Sequence, residues 1–298
     1  MKTMKYLCYM CCIGMLLALS ACSSDDTLSK TDDANVMRFE VVHPSQSTTR
    51  VTATNFENQD TLGVFVADAK STLQVSGNYA NNSKLTFDGT QWTSAKPIYW
   101  NDGTYNVYAY YPYSGSVTSI ENYKFSVSTD QSVEKSDKTV SGYQASDFLW
   151  ASAKSVTASN DAVKLKFSHV FSKVIIQLAK GSDYTGELPT TADVYIHNTV
   201  PSALIDLSAG YSETDPSAAA ASIKAHPIGN YQYEAIVVPQ RIQRSIPLIE
   251  IVTQGVSYLV ESSMLFQPGM VHTFTISLTD NPEKININIG GQIENWGN

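Results

Sequence analysis

The chain has 298 residues, 20 Lys and Arg against 28 Asp and Glu, and a formal net charge of -8. This length is about two domains' worth and leaves enough chain to bury a hydrophobic core in each. The acidic balance argues against nucleic acid as a partner, because neutralising phosphates requires a concentrated Lys and Arg surface. The 17 Tyr and 10 Phe residues, together with abundant β-branched residues, favour β-strands.

The first 21 residues have the features of an export signal. Two lysines precede an apolar run over residues 6–19, which is shorter than the about 20 apolar residues of a membrane-spanning helix. The run ends in Leu19, Ser20, Ala21 and Cys22, which resemble the lipobox of a bacterial lipoprotein. This resemblance implies cleavage before Cys22 and acylation of its thiol. The alternative is an ordinary signal peptide with an incidental cysteine.

The segment that follows, residues 22–35, is predicted to be a tether. It is polar and acidic and shows no apolar periodicity, so we expect it to be disordered. The acids directly after Cys22 resemble the tag that sends some lipoproteins to the outer face of the outer membrane. The other three cysteines lie in the predicted signal peptide, residues 1–21, so we expect neither a disulfide nor thiolate chemistry in the mature body.

Beyond the tether, the pattern predicts short strands separated by turn residues, with little helical periodicity. Only residues 214–224, which contain an alanine run, have some helical character. Strands in such number exceed one sandwich, so we predict an all-β fold of two tandem antiparallel β-sandwich domains, over residues 36–158 and 159–298. The predicted strands are 36–42, 61–67, 105–111, 123–127, 163–167, 174–178, 192–197, 231–238, 248–253, 257–261, 272–278 and 285–289.

The sequence offers little support for catalysis. Its five histidines are neither at metal-ligand spacing nor part of a recognisable nucleophile motif, and the chain has no glycine-rich phosphate loop. We interpret His169 as a structural, hydrogen-bonded histidine. We therefore expect no catalytic residue, no metal and no cofactor. A hydrolase with two carboxylates about 5 Å or about 6.5–9.5 Å apart is the alternative that the sequence leaves open.

An aromatic run over residues 105–113 is the most unusual local feature. Strand alternation places Tyr108 and Tyr110 on the face opposite Val107. We favour a central strand that is covered on both faces, since aromatic residues are common in strand interiors. The alternative is a monomeric surface lipoprotein that binds glycans through an exposed aromatic patch of Tyr108, Tyr110 and Tyr113.

Several stretches of the mature chain share their order and spacing with a known family. They are residues 49–56, 60–65, 99–100, 107–113, 147–151, 165–174, 269–276 and 293–296. Together they resemble the fimbrillin-like family, the lipoprotein subunits of type V pili. The resemblance implies two transthyretin-like β-sandwiches in a surface-exposed lipoprotein of the cell outer membrane, which joins a fimbrium after assembly. The implied partners are other fimbrillin subunits in a homo- or hetero-polymer, the outer membrane through the lipid of the precursor, and a host or bacterial surface ligand.

The resemblance also implies assembly by donor-strand exchange, in which an Arg-specific protease removes the first strand and a neighbouring subunit supplies a replacement. The predicted first strand has three apolar residues on one face, Met37, Phe39 and Val41. The C-terminal segment has three more at the same period of two, Ile285, Ile287 and Ile289. The first set would leave with the displaced strand, and the second would belong to the donor strand. The alternative is that both segments are ordinary strands of a closed monomer.

Arg50 is the predicted cleavage residue, because it lies in a polar stretch just after the first strand. Cleavage there would release residues 22–50 with their lipid and their strand. The alternative is a loop arginine in a subunit that is never cut, as expected for an anchor or a tip subunit.

Overall fold

The computed structural model describes most of the chain beyond the tether. Cys22, Arg50, Ile285 and Ile289 lie outside the described residues, as does the predicted signal peptide. For the segment that includes Ile287, the description covers the backbone alone. The described residues are 35–44, 56–136, 141–243, 245–281, 286–288 and 293–297.

The prediction of an all-β fold is confirmed. The described residues contain no α-helix, only strands, turns and short 3-10 segments such as Gln144–Ser146, and no helix there is long and apolar enough to cross a membrane. The strands of the first half are β1 (Phe39–Val42), β2 (Thr61–Asp68), β3 (Ala80–Phe87), β4 (Trp92–Thr93), β5 (Thr104–Tyr111), β6 (Tyr123–Ser126), β7 (Leu149–Thr157), β8 (Val163–Lys166) and β9 (Ser168–His169). Those of the second half are β10 (Ser172–Lys180), β11 (Asp193–Thr199), β12 (Ser202–Asp206), β13 (Tyr211–Thr214), β14 (Ala221–Lys224), β15 (His226–Gly229), β16 (Gln232–Val237), β17 (Arg241–Ile242), β18 (Pro247–Thr253), β19 (Val256–Glu261), β20 (Met264–Leu265), β21 (Met270–Leu278), β22 (Asn286–Asn288) and β23 (Ile293–Asn295).

The N-terminal half is built on a six-stranded antiparallel sheet with the order β4-β3-β2-β5-β7-β9. β5 lies in its interior, where Ala109 is opposite Val64 of β2 and Ala151 of β7. β1 lies outside this sheet and pairs in parallel with β8. We call the six-stranded sheet the N-terminal sheet.

Alternation along β2 and β5 gives the N-terminal sheet two buried faces, because successive side chains of a strand point to opposite sides. On one face Val64 and Val107 join a first core, which is completed by residues of β1 and β8. On the other face Phe65 and Tyr110 join a second core. The prediction that the aromatic strand is covered on both faces is therefore confirmed.

The C-terminal half contributes two further sheets to the second core. A four-stranded antiparallel sheet has the order β14-β11-β18-β19, and the C-terminal six-stranded sheet has the order β15-β16-β10-β21-β22, with β23 also paired to β21. Within the latter, β10 and β21 are parallel. Ile196 and Ile251 of the first of these sheets and Val174 and Ile276 of the second are all fully buried in the second core.

Strand pairing crosses residue 158, where the boundary between the two sandwich domains is predicted. β8 pairs with β1, and β12 pairs on one side with β13 and on the other with β6. The second core likewise contains residues from both halves, such as Tyr123 and Ile205. The tandem division stays a prediction.

The helical character predicted for residues 214–224 is wrong. The carboxylate of Asp215 accepts the N–H of Ser217 at 2.9 Å, which forms a turn, and β14 follows. Ile223 of β14 is opposite Ile196, and both are fully buried. The helix preference of alanine amounts to less than about 1 kcal/mol per residue, whereas burying one isoleucine contributes about 1.5–3 kcal/mol. Burial in the sheet therefore decides the conformation.

Candidate strand-exchange site

β1 and the residues just before it are held by backbone hydrogen bonds on two sides. On one side the N–H of Val163 donates to the carbonyl of Arg38 at 2.8 Å. On the other side the N–H of Met37 donates to the carbonyl of Ile98 at 2.8 Å. The first strand and the residues just before it therefore fill a slot between β8 and residues 98–100.

The apolar residues of the predicted displaced strand all contact the first core. Met37 is 3% exposed, and Phe39 and Val41 are half-buried against the same cluster. Arg38 and Glu40, which alternate with them, are exposed. Residues 37–41 thus insert one row of side chains into the core and present the other row to solvent.

The first core beneath β1 is apolar and tightly closed. Val64, Val107, Leu149 and Leu165, from four different strands, are each 0% exposed. Trp100 belongs to the same core, and its indole Nε1 is buried without a hydrogen-bond partner among the described residues. If β1 left, these side chains would line an open groove, which we call the acceptor groove.

β22 and β23 lie at one edge of the C-terminal six-stranded sheet, and both pair with β21. Ile287 is opposite Ile276, and Asn295 is opposite Met270. All three side chains of β23 are exposed, and Ile293 is 53% exposed. β23 therefore buries little apolar surface of its own.

His169 lies where the residues after β1 meet the C-terminal segment. Its Nδ1 is 2.9 Å from Oδ1 of Asp147, which confirms that His169 is hydrogen-bonded. The imidazole stacks on the indole of Trp296, with ring centroids 3.6 Å apart and 3° between the planes. His43 meets the same imidazole edge-on, at 6.1 Å between centroids.

Burial lowers the pKa of His43 to about 4, although Asp147 raises it in part and His169 lowers it further. The imidazole of His43 is therefore neutral near pH 7. A neutral ring fits its surroundings, because it also packs edge-on against Phe56 with centroids 4.9 Å apart. The junction after β1 is thus an aromatic cluster with the carboxylate of Asp147 beside it.

The aromatic residues that the glycan-binding alternative requires at the surface, Tyr108, Tyr110 and Tyr113, do not form an exposed patch. Tyr108 is 6% exposed and Tyr110 is 1% exposed, while Tyr113 is half-buried. The hydroxyl of Tyr110 donates to Oδ1 of Asn82 at 2.8 Å, and Nζ of Lys154 lies 3.7 Å from the ring centroid of Tyr108. These rings fill the space beneath an interior strand, so they do not form a surface platform.

A line of polar side chains across the four-stranded sheet had no signal in the sequence. Oγ of Ser222 lies 2.6 Å from Nδ1 of His197, and Nε2 of His197 lies 2.9 Å from Oε2 of Glu250. Oγ of Ser257 donates to the other oxygen of Glu250 at 2.6 Å. The four residues come from β14, β11, β18 and β19, so only the order of strands brings them together. Both ring nitrogens of His197 have partners, and the line cross-links four neighbouring strands.

The buried carboxylates among the described residues are paired with lysines rather than with each other. Asp215 lies 2.7 Å from Nζ of Lys124, and Glu234 lies 2.6 Å from Nζ of Lys173. The lysine and then Ser217 hold the pKa of Asp215 well below its usual range. Within the described ranges, no group of three or more His, Cys, Asp or Glu side chains is placed to hold a metal ion.

Solved structures with the same fold come from Bacteroides and Porphyromonas species. A candidate cell adhesion protein from Bacteroides uniformis ATCC 8492 is 20% identical with a TM-score of 0.66, and the match covers 89% of this chain and 100% of that one. A second candidate cell adhesion protein, from Bacteroides ovatus ATCC 8483, is 19% identical with a TM-score of 0.64, and the match covers 88% of this chain and 96% of that one. The tip fimbrial protein Mfa3 from Porphyromonas gingivalis, with a C-terminal truncation, is 9% identical with a TM-score of 0.51. That match covers 80% of this chain and 95% of that one.

The family is shown by sequence. No curated protein sequence is similar enough to match this chain. The model of the fimbrillin-like family, in contrast, matches residues 49–296, which is nearly the whole of the chain beyond the predicted tether and first strand. The chain belongs to the fimbrillin-like family.

Proposed function

We propose that the chain is an outer-membrane lipoprotein that becomes a structural and adhesive fimbrial subunit through removal of β1 and donor-strand exchange. The observation that carries this proposal is the insertion of Met37, just before the short strand β1, into the first core at the end of a polar tether. Its partners are other fimbrillin subunits, the outer membrane through its lipid, and a surface ligand of host or bacterial origin. We also propose that the chain beyond the tether is divided into two tandem transthyretin-like domains.

The energetics of the acceptor groove favour replacement of the lost strand. Full burial of one large apolar side chain contributes about 1.5–3 kcal/mol. Met37, just before β1, is buried, and Phe39 and Val41 of β1 are buried in part. Loss of β1 would also leave backbone groups of β8 without partners. Unpaired strand edges and exposed apolar surface promote association. By β-augmentation, a strand from another subunit would pair with the free backbone groups of β8 and cover the exposed apolar surface.

Residues 285–289 are the proposed donor strand. Their isoleucines repeat at the same period of two as the apolar residues of β1, so they can enter the same side of the acceptor groove. β22 lies at a sheet edge, where a strand can leave without breaking a central ladder.

Processing would connect the anchor to assembly. A lipid on Cys22 would hold the precursor in the outer membrane, and a cut after Arg50 would separate residues 22–50 from a subunit that begins at Val51. The released fragment would contain the whole of β1. One cleavage would therefore free the subunit and open its acceptor groove.

The full-length lipoprotein treated with an Arg-specific protease tests this proposal. Arg50→Lys removes the cleavage residue and keeps the charge, and Arg38→Lys is the matched control within the first strand. We expect wild type and Arg38→Lys to lose residues 22–50, as seen by intact mass, and to form a ladder of polymers on size-exclusion chromatography. We expect Arg50→Lys to remain monomeric and to keep its lipid.

Two results would count against the proposal. Polymers whose subunits retain residues 22–50 would show that assembly does not require removal of β1. A chain cut after Arg50 that stays monomeric at high concentration would show that the acceptor groove does not bind a donor strand.

A further inference from the structure

The residues after β1 and the last described residues of the chain touch each other. Gly297 packs so closely against Pro44 that a Cβ at Gly297 would lie 2.8 Å from both the Cβ and the carbonyl oxygen of Pro44. The φ of Gly297 is +99°, a conformation that glycine adopts at little cost. The contact therefore depends on the absence of a side chain at residue 297.

The preceding residue, Trp296, is fixed by a hydrogen bond and by a stacked ring. Its N–H donates to the carbonyl of Gly269 at 2.7 Å, and its indole lies parallel to the imidazole of His169. His169 is oriented by Asp147 and is touched on its edge by His43. Trp296 thus connects the end of β23 to β9 and, through His169, to the segment that follows β1.

Side-chain burial at this end of the described chain is greater at Trp296 than in β23. The three residues of β23 are exposed, whereas Trp296 is half-buried and packs against the second core. The remaining attachment is the backbone pairing of β23 with β21. A strand of three residues at a sheet edge is only weakly stable through pairing alone. The position of β23 therefore depends on Trp296 and Gly297.

We propose that Trp296 and Gly297, together with His43, Pro44 and His169, form a clasp that keeps the C-terminal strands in place for as long as β1 is present. This inference rests on the proposed strand exchange. Loss of residues 22–50 would remove His43 and Pro44, so Gly297 would lose the residue it packs against and His169 would lose one of its neighbouring rings. The cut that opens the acceptor groove would then also free the donor strand, and an uncut subunit would withhold it.

Hydrogen–deuterium exchange of the backbone amides over residues 286–295 of the full chain tests the clasp. Trp296→Ala removes the stacked indole, and Gly297→Ala places a Cβ where Pro44 lies. Each is expected to raise the exchange rate of these amides about tenfold before any cleavage, because the strands then open locally. Gly89→Ala is the matched control, since its φ is +96° and a Cβ there would meet nothing within 4 Å. It carries the same backbone strain and should leave the exchange of residues 286–295 unchanged.

The chain cut after Arg50 provides the second measurement, with polymer formation followed in parallel. We expect the cut to raise exchange over residues 286–295 by a factor similar to that of Gly297→Ala. Unchanged exchange in the cut chain and in both variants would overturn the clasp, even where the cut chain polymerises and the proposed function holds. Raised exchange in a cut chain that stays monomeric would support the clasp and count against donor-strand exchange.

Discussion

Gln131 and Ile236 exchange two hydrogen bonds beside β16. The N–H of Ile236 donates to Oε1 of Gln131 at 2.8 Å, and Nε2 of Gln131 donates to the carbonyl of Ile236 at 2.8 Å. β15 pairs with β16 only as far as Glu234, so Ile236 lies beyond the end of its neighbouring strand. The side-chain amide of Gln131 thus acts as one residue of a missing strand and satisfies backbone groups that are fully buried.

Replacing Gln131 with methionine should destabilise the protein strongly. The substitution keeps the length of the side chain and leaves the buried N–H and carbonyl of Ile236 without partners. Each unsatisfied buried group costs about 1–3 kcal/mol, so we expect the free energy of unfolding to fall by about 2–5 kcal/mol. Urea unfolding measures this loss against Gln267→Met, an exposed glutamine whose substitution should change stability by less than about 0.5 kcal/mol. Equal stability of the two variants would show that Gln131 is replaceable.

Met37→Ala should cost about 2–5 kcal/mol of unfolding free energy, because it removes a buried side chain and leaves a cavity in the first core. Glu40→Ala, on the solvent side of β1, removes only an exposed ion pair with Lys164 at 3.2 Å. Such pairs contribute less than about 1 kcal/mol. Thermal unfolding of both variants measures the difference. Similar effects of the two substitutions would mean that Met37 contributes little to the stability of the first core.

If β1 is a replaceable strand, Met37→Ala should also ease its replacement. We expect a labelled peptide of residues 283–291 to bind the uncut Met37→Ala chain faster than it binds wild type, as followed by fluorescence anisotropy. Glu40→Ala should bind the peptide at the wild-type rate. A faster rate in Glu40→Ala alone would show that the charge of Glu40, and not the packing of Met37 in the first core, limits binding of the peptide.

Much of the fold could be predicted from the sequence, because buried strands carry period-two or continuous apolar patterns. The strands around Val64, Val107 and Ile176 were predictable for this reason, and each of these residues is fully buried. β3 was missed, since it reads Ala-Asn-Asn-Ser-Lys-Leu-Thr-Phe and buries only Leu85. Its conformation comes from pairing with β2 on one side and β4 on the other, which local pattern does not encode.

The candidate site was predictable only in its local parts. The alternation of Met37, Phe39 and Val41 gave the inward face of the first strand, because that face depends on residues next to each other in sequence. The meeting of Pro44 with Gly297 could not be predicted, since it depends on how β1 and β23 are placed by strands between them. A glycine near a chain end gives no signal of a close backbone contact.

Tyr110→Phe should destabilise the second core without changing its packing. The hydroxyl donates to Oδ1 of Asn82 at 2.8 Å and accepts the N–H of Ser114 at 3.2 Å. Removing the oxygen leaves these polar groups with fewer partners in a region where Tyr110 is 1% exposed, at an expected cost of about 1–3 kcal/mol. Tyr211→Phe is the matched control, because Tyr211 is 61% exposed. Differential scanning calorimetry that finds both variants equal to wild type would contradict the buried hydrogen-bond network.

Two histidines should make the protein less stable in mild acid. Burial lowers the pKa of His43 to about 4 and also lowers that of His272, whose Nε2 accepts the N–H of Gln267 at 3.1 Å. In the unfolded chain both titrate near the ordinary value of about 6.5. Between these values the unfolded state binds more protons than the folded state, so the free energy of unfolding falls as the pH falls.

We therefore expect stability to decrease as the pH is lowered from about 6.5 towards about 4, with His43 contributing about 2–3 kcal/mol of the loss. His43→Gln and His272→Gln should each reduce this pH dependence, and the double variant should reduce it further. Urea unfolding at about pH 7 and at about pH 4.5 measures the effect for all four proteins; at the lower value most of the histidine contribution is already lost and most carboxylates of ordinary pKa are still ionised. A pH dependence that is the same in the wild type and in the double variant would show that these imidazoles are protonated without cost in the folded state.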